Sequence, residues 1–238
     1  MSELVPAMSP RFIAARQLKE RFAAFGHFYE LPTDAGPVPC RSVLELVSHA
    51  RAASLGEGRR GLPNAVFVMM NPGSSWPLQG GWDGAAPRST PKRLVLAKPD
   101  TTQYQVMRVM DRMRWEQVRV INLSDLHESR SSEFVRRYPA LGQAHSIFSA
   151  GRRGELAREL QRQDGAPLVL AWGVHPRLAP LIAQALPLLK EAGPCLGVQR
   201  PDVAGGGYFH LLPQLQGDKL ARVDALCEQL HPCKLIVE

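Results

Sequence analysis

Two asparagines stand where apolar runs break off: Asn71 follows the run in AVFVMMNPGSSW, and Asn122 sits inside VINLSDL. A carboxamide does not titrate usefully, so neither can act as a strong general base, but each can position another group. The Asn71 carbonyl oxygen can orient a water while its NH₂ group holds a neighbour. Asn122 offers a donor pair and an acceptor together, enough for bidentate hydrogen bonding to the edge of a pyrimidine. His210, in GGGYFHLLPQ, is a candidate neutral donor toward charge developing on an oxygen, and Arg200, in VQRPD, competes with it for that role. Asp83 and Asp125 are the carboxylates available if a true base is needed. Trp76 and Trp82, in a glycine-rich segment, can offer faces for stacking, worth about 1–3 kcal/mol per base. Met70, Pro72, Gly73 and Ser74 adjoin Asn71 and join the candidate lining, while Ser74, Ser75, Arg88, Lys92, Arg93, Lys98 and Arg200 suit contacts to phosphate.

Residues so spaced need strands that end on one rim. Val66–Met70, Val118–Leu123 and Leu168–Gly173 are short apolar runs without alternation, as expected of strands buried on both faces, and Cys195–Gln199 is a fourth. Helices are expected over Arg11–Phe25, Ser42–Ala53, Thr101–Arg114, Ser149–Gln163, Leu178–Glu191 and Asp218–Leu230, with Asp100 or Thr101 capping the third. The spacing of Tyr104, Met107, Met110 and Met113 marks that helix's core stripe, and Glu155 with Arg158 and Glu159 with Arg162 supply opposite-charge pairs three apart. Alternation of strand and helix predicts an α/β fold whose parallel sheet carries helices on both faces, with ligands at the carboxyl ends of its strands. One domain is expected over residues 1–238, with residues 1–60 a helical elaboration and residues 61–238 the core. Between the first strand and the third helix, NPGSSWPLQGGWDGAAPRSTPKR lacks periodicity, and so long a loop usually serves function.

At 238 residues and 45% hydrophobic content the chain can bury a full core, which argues against disorder. The net charge of +7, from 29 Lys and Arg against 22 Asp and Glu, favours polyanionic partners. Cys40, Cys195, Cys227 and Cys233 form no C-x-x-C pair, and the His-Pro dipeptides at His175 and His231 lack metal-ligand spacing, so reduced thiols and no metal are expected. Phosphate-loop and nucleophile-elbow motifs are absent, and Gly205–Gly207 lack the setting of a dinucleotide fingerprint. MSELVPAMSPRF has no signal-peptide pattern and no run has the length of a membrane span, so a cytoplasmic monomer is expected.

Taken in order, the strand ends resemble the uracil-DNA glycosylase superfamily. Met69-Met70-Asn71-Pro72-Gly73 is similar to the G-[IM]-N-P-G motif of its mismatch-specific and single-strand-selective branches, departing at the leading glycine. VRVINLSDL is similar to the second strand of those enzymes, ending in a base-reading Asn, and LVLAWG to their third core strand. His210 takes the chain position of their His-Pro-Ser loop but lacks the adjoining proline. The chain also resembles a bacterial and phage family with the pattern L-N-P-S, D-P-T, N-L, W-G and H-P-L-Y, here MNPGS, PDTT, INLSDL, AWG and FHLLP, over Val66–Gln214.

The resemblance implies a three-layer α/β/α sandwich with a short central parallel sheet, needing no cofactor. It implies a monofunctional DNA glycosylase that hydrolyses the N-glycosidic bond of a flipped base and leaves an abasic site. Asn71, where other branches carry Asp, then positions the water, Asn122 reads the base and His210 supports the departing base. One branch of the superfamily excises bulky modified cytosines from phage DNA, so a modified pyrimidine is the expected base, in repair or antiviral defence. The alternatives are a non-catalytic nucleic-acid binder on the same fold and an enzyme on free nucleosides or nucleotides.

Overall fold

The computed structural model describes residues 12–55, 61–80, 82–83, 92–202, 206–213 and 218–231. Its centre is a mixed sheet built from β1 (Phe22–Leu31), β2 (Val38–Ser48), β3 (Ala65–Met69), β4 (Trp76–Pro77), β5 (Trp82–Asp83), β6 (Val95–Lys98), β7 (Gln117–Asn122), β8 (Leu168–Ala171) and β9 (Cys195–Leu196). The strand order is β4-β6-β1-β2-β7-β3-β8-β9, with β5 pairing β1. β7, β3, β8 and β9 run parallel, whereas β2, β1, β6 and β4 extend the sheet through antiparallel pairs that join it at β2 and β7.

That extension corrects the expectation of an all-parallel sheet and of helical N-terminal residues. Only α1 (Ala15–Lys19) lies within Arg11–Phe25, and α2 (His49–Leu55) takes the end of Ser42–Ala53. The physical reason is a period of two. Phe22, Ala24 and Phe28 lie on one sheet face with Leu44 and Leu46, while Val43 lies on the other. A helix over the same residues would scatter these side chains around its circumference. The short Pro32–Pro37 connection then allows only antiparallel pairing of β1 with β2. The β1–β2 register shifts between His27 and Phe28, where Phe28 pairs with Arg41 although His27 pairs with Val43. This bulge turns Arg41 to the face that carries Phe28.

Helices cover both faces. α1, α3 (Thr101–Met113) and α7 (Asp218–Leu230) pack with Phe67, Met69, Val118 and Val120, and α4 (Ser131–Arg137), α5 (Arg153–Glu159) and α6 (Ala179–Glu191) pack with Val66, Val68, Ile121 and Leu170. Met107, Met110 and Met113 are buried core residues, as their spacing requires. Asp100 caps α3: its carboxylate accepts from the Gln103 N–H at 2.9 Å, and the Gln103 side chain accepts from the Asp100 N–H at 3.2 Å. α5 is shorter than Ser149–Gln163, and its acids turn inward, Glu155 to Arg152 and Lys92, and Glu159 to Lys92 and Arg119. Among the described residues no helix is long and apolar enough to cross a membrane.

Candidate functional site

The hydrogen bonds between β3 and β7 continue past the strand ends: Leu123 N–H donates to the Met69 carbonyl at 2.8 Å and Ser124 N–H to the Met70 carbonyl at 3.2 Å. Asn71 is thereby held against the segment that follows β7. Its Nδ2 donates to the Glu128 carbonyl at 2.6 Å and to the Leu126 carbonyl at 3.3 Å. Both amide hydrogens are committed to backbone, and no group among the described residues donates to Oδ1. The side chain is thus fixed in orientation with its acceptor unspent.

Pro72 is buried, and Gly73 follows with φ +70°, carrying the loop so close to α3 that a Cβ there would stand 2.6 Å from Asp100 Oδ2. Ser74 N–H donates to the same oxygen at 3.3 Å. Asp100 therefore joins the Asn71 loop to the first turn of α3, a role beyond the cap that its sequence context supplies.

Asn122 pairs in register with Met69 and is fully buried, yet neither Oδ1 nor Nδ2 has a hydrogen-bond partner among the described residues. Leaving such a group unmet costs about 1–3 kcal/mol. Its neighbours Val118 and Val120 alternate onto the α3 face of the sheet, and Asn122 follows the same alternation. Arg41 reaches that face from β2. It is 2% exposed, its Nε and Nη1 have no partner among the described residues, and burial pulls its pKa down to about 10, so that it is still charged at neutral pH.

His210 follows Tyr208, which bridges Gly173 just past β8 and Gln199 just past β9. Gly173 N–H donates to the Tyr208 carbonyl at 2.9 Å, and a Cβ on Gly173, whose φ is +94°, would come within 3.9 Å of the His210 Cβ. His210 Nδ1 accepts from Leu212 N–H at 3.1 Å, which leaves the ring proton on Nε2, and burial lowers its pKa. Its Nε2–H is then the ring's donor, and burial favours the neutral form. Trp172 is core, donating to the Gly206 carbonyl at 2.9 Å.

His127 and Trp76 form one wall. His127 Nε2 lies 2.8 Å from the Ser75 carbonyl, its ring meets Trp76 edge-on at 4.5 Å, and burial lowers its pKa. Trp76 is 42% exposed, so part of its ring is open to solvent.

Other expected site residues are placed differently. Asp125 is fully buried in an ion network: its Oδ2 accepts from Tyr29 at 2.8 Å and Arg152 at 2.6 Å, and burial raises its pKa. Lys92 is withdrawn from phosphate by salt bridges to Glu155 at 2.5 Å and Glu159 at 3.1 Å, its side chain only 6% exposed. Ser75 is buried, Arg200 pairs with Asp202 at 2.7 Å, and Ser74, Arg93 and Lys98 are exposed. Met70 is half-buried against the core beneath α4–α6. Trp82 and Asp83 pair with Phe28 and Tyr29 through backbone, their side chains lying with Arg88 outside the described residues.

Sequence reasoning grouped Asn71, Asn122 and His210 and did not place Arg41, Asp100 or His127 in that group. The available signal for Arg41 was a basic residue inside the largely apolar run VPCRSVLELV, whose other charge is Glu45. No family model matches the chain, and no curated protein or solved structure matches it either.

Proposed function

We propose that the protein is a DNA glycosylase acting on a flipped pyrimidine, with Asn71 orienting the water and Asn122 reading the base. The carrying observation is the contrast at two adjacent strand ends: Asn71 is anchored with a free acceptor, and Asn122 is buried with both amide atoms unmet. On this reading the parallel block β7-β3-β8-β9, with helices on both faces, is the three-layer glycosylase-like core, and β1, β2 and β4–β6 are its extension.

The chemistry follows from these placements. The flipped base inserts its edge toward Asn122, whose donor and acceptor it satisfies. Water held by Asn71 Oδ1 adds its oxygen to the sugar C1′ while the C1′–N bond breaks, and the departing base takes the bonding pair. His210 Nε2–H donates toward the base oxygen on which charge gathers. The proton released by the water ends on the base.

The test is base release from duplex and single-stranded DNA carrying a panel of modified cytosines and uracils, read by alkaline cleavage of abasic sites. Asn71→Ala should slow release by about 10²-fold, the scale of a lost positioning contact, with plain-duplex affinity unchanged. No release from any member of the panel, or full turnover by the variant, overturns the reading.

Burial of Lys92 and Ser75 removes two groups from phosphate contact and favours the second reading, an enzyme on free nucleosides or nucleotides. In the same experiment that enzyme would split free nucleosides and leave DNA intact.

A further inference from the structure

We propose that Arg41 and Asn122 form a subsite for an anionic oxygen carried by the ligand, Arg41 supplying the charge and Asn122 a donor and acceptor beside it. The inference deepens the glycosylase reading by naming the kind of nucleotide its pocket takes, and it rests on that reading only for the assumption that the ligand is pyrimidine-like.

Three observations carry it. Arg41 and Asn122 are 2% and 0% exposed, and Arg41 Nε and Nη1 and both amide atoms of Asn122 lack partners among the described residues. Proteins rarely leave several buried polar atoms unmet at one place without a ligand that meets them. Second, the two side chains share a sheet face. The bulge opposite His27 and Phe28 sets Arg41 beside Phe28, its Cδ lying 3.3 Å from the position a Gly26 Cβ would take, and Asn122 continues the Val118–Val120 alternation onto that face.

Third, the carboxylates whose fields reach Arg41 are committed to other groups. Asp100 accepts from Gln103 N–H and Ser74 N–H, and Asp125 Oδ2 is taken by Tyr29 and Arg152, while its Oδ1 receives no donor, Arg41 included. Among the described residues the Arg41 guanidinium thus feels two carboxylates at a distance, and its Nε and Nη1 bond to neither. Its planar fork fits two oxygens of a carboxylate or phosphate. The neighbouring His127 is held toward its neutral form by burial and by the Arg41 charge, so it neither competes for the anion nor replaces Arg41.

Such an anionic oxygen could belong to an acidic substituent on the pyrimidine ring or to the phosphate of the nucleotide. Titration calorimetry with uracil, 5-carboxyuracil, uridine 5′-monophosphate and inorganic phosphate separates the two. Wild-type protein should bind at least one anionic pyrimidine about ten-fold or more tighter than uracil, the scale of one charge-assisted hydrogen bond. Preference for carboxyuracil assigns the oxygen to the ring. Preference for the monophosphate, matched by inorganic phosphate, assigns it to the backbone. Arg41→Met should abolish the preference and Arg41→Lys should keep only part of it.

A ligand-free melting curve guards against misfolding: Arg41→Met should melt at or above wild type, because an unpaired buried charge is removed. No anion preference in wild type, a preference that survives Arg41→Met, or a melting point lowered by that variant overturns the proposal. Base release from DNA unaffected by Arg41→Met removes this inference and leaves the glycosylase reading standing. Arg41-dependent binding by a protein that releases no base does the reverse.

Discussion

Asn71 and Asn122 are the same residue type at neighbouring strand ends, yet one side chain donates twice to backbone and the other has no partner among the described residues. The type and the strand-end position were legible in sequence. The difference was not, because it depends on where the segment after β7 places the carbonyls of Leu126 and Glu128. His145 is a further residue whose state is set by burial. Its Nδ1 lies 2.7 Å from Ser124 Oγ, and burial, with the Arg152 charge added, pushes its pKa down from 6.5 to about 4. The folded protein therefore prefers neutral His145, and that preference stabilises it fully above pH 6.5 and is lost as the pH falls toward about 4. Urea denaturation across this window should show a loss of roughly 3 kcal/mol that His145→Gln does not show. A parallel pH dependence in the two proteins would mean that His145 does not titrate with folding.

At the scale of elements, the parallel strands and α3, α6 and α7 were legible because each has an apolar pattern of one period and a clear start or stop. β1 and β2 were not, because their two buried faces hide the alternation and their clustered apolar residues imitate a helical stripe. Arg41 was lost with them: standing between a Pro-rich connector and the expected Ser42–Ala53 helix, it is one more surface charge. The turn at Gly73 shows how tightly the elements are joined. Alanine there would have to hold φ +70° and push its Cβ into Asp100 Oδ2. Gly73→Ala should therefore destabilise the fold by about 2–3 kcal/mol, adding the left-handed backbone cost to a weakened α3 cap. Asp100→Ala, which loses the cap alone, should cost about 1 kcal/mol. Equal effects of the two variants in chemical denaturation would contradict the close approach.

Over the whole molecule, the +7 charge is less available to DNA than its sum suggests. Charge can be counted in a sequence, but its burial cannot, which is why Lys92 and Lys98 look alike there. Lys92 is held by Glu155 and Glu159, whereas Lys98 is exposed on β6. For plain duplex, Lys98→Ala should reduce the slope of log affinity against log salt by about 0.9, the effect of one lost phosphate contact. Lys92→Ala should leave the slope unchanged and lower the thermal midpoint, since it removes one of the cationic partners of each of two buried carboxylates. Binding titrations at several salt concentrations distinguish the two residues, and a slope changed by Lys92→Ala would place that side chain on the DNA.

The sheet passes from antiparallel to parallel pairing at β7, which pairs antiparallel with β2 and parallel with β3. Arg41 belongs to β2 and Asn122 to β7. A ligand held by both side chains is consequently a rivet across the seam between the two halves of the sheet, so occupancy and the mechanical unity of the fold rise together.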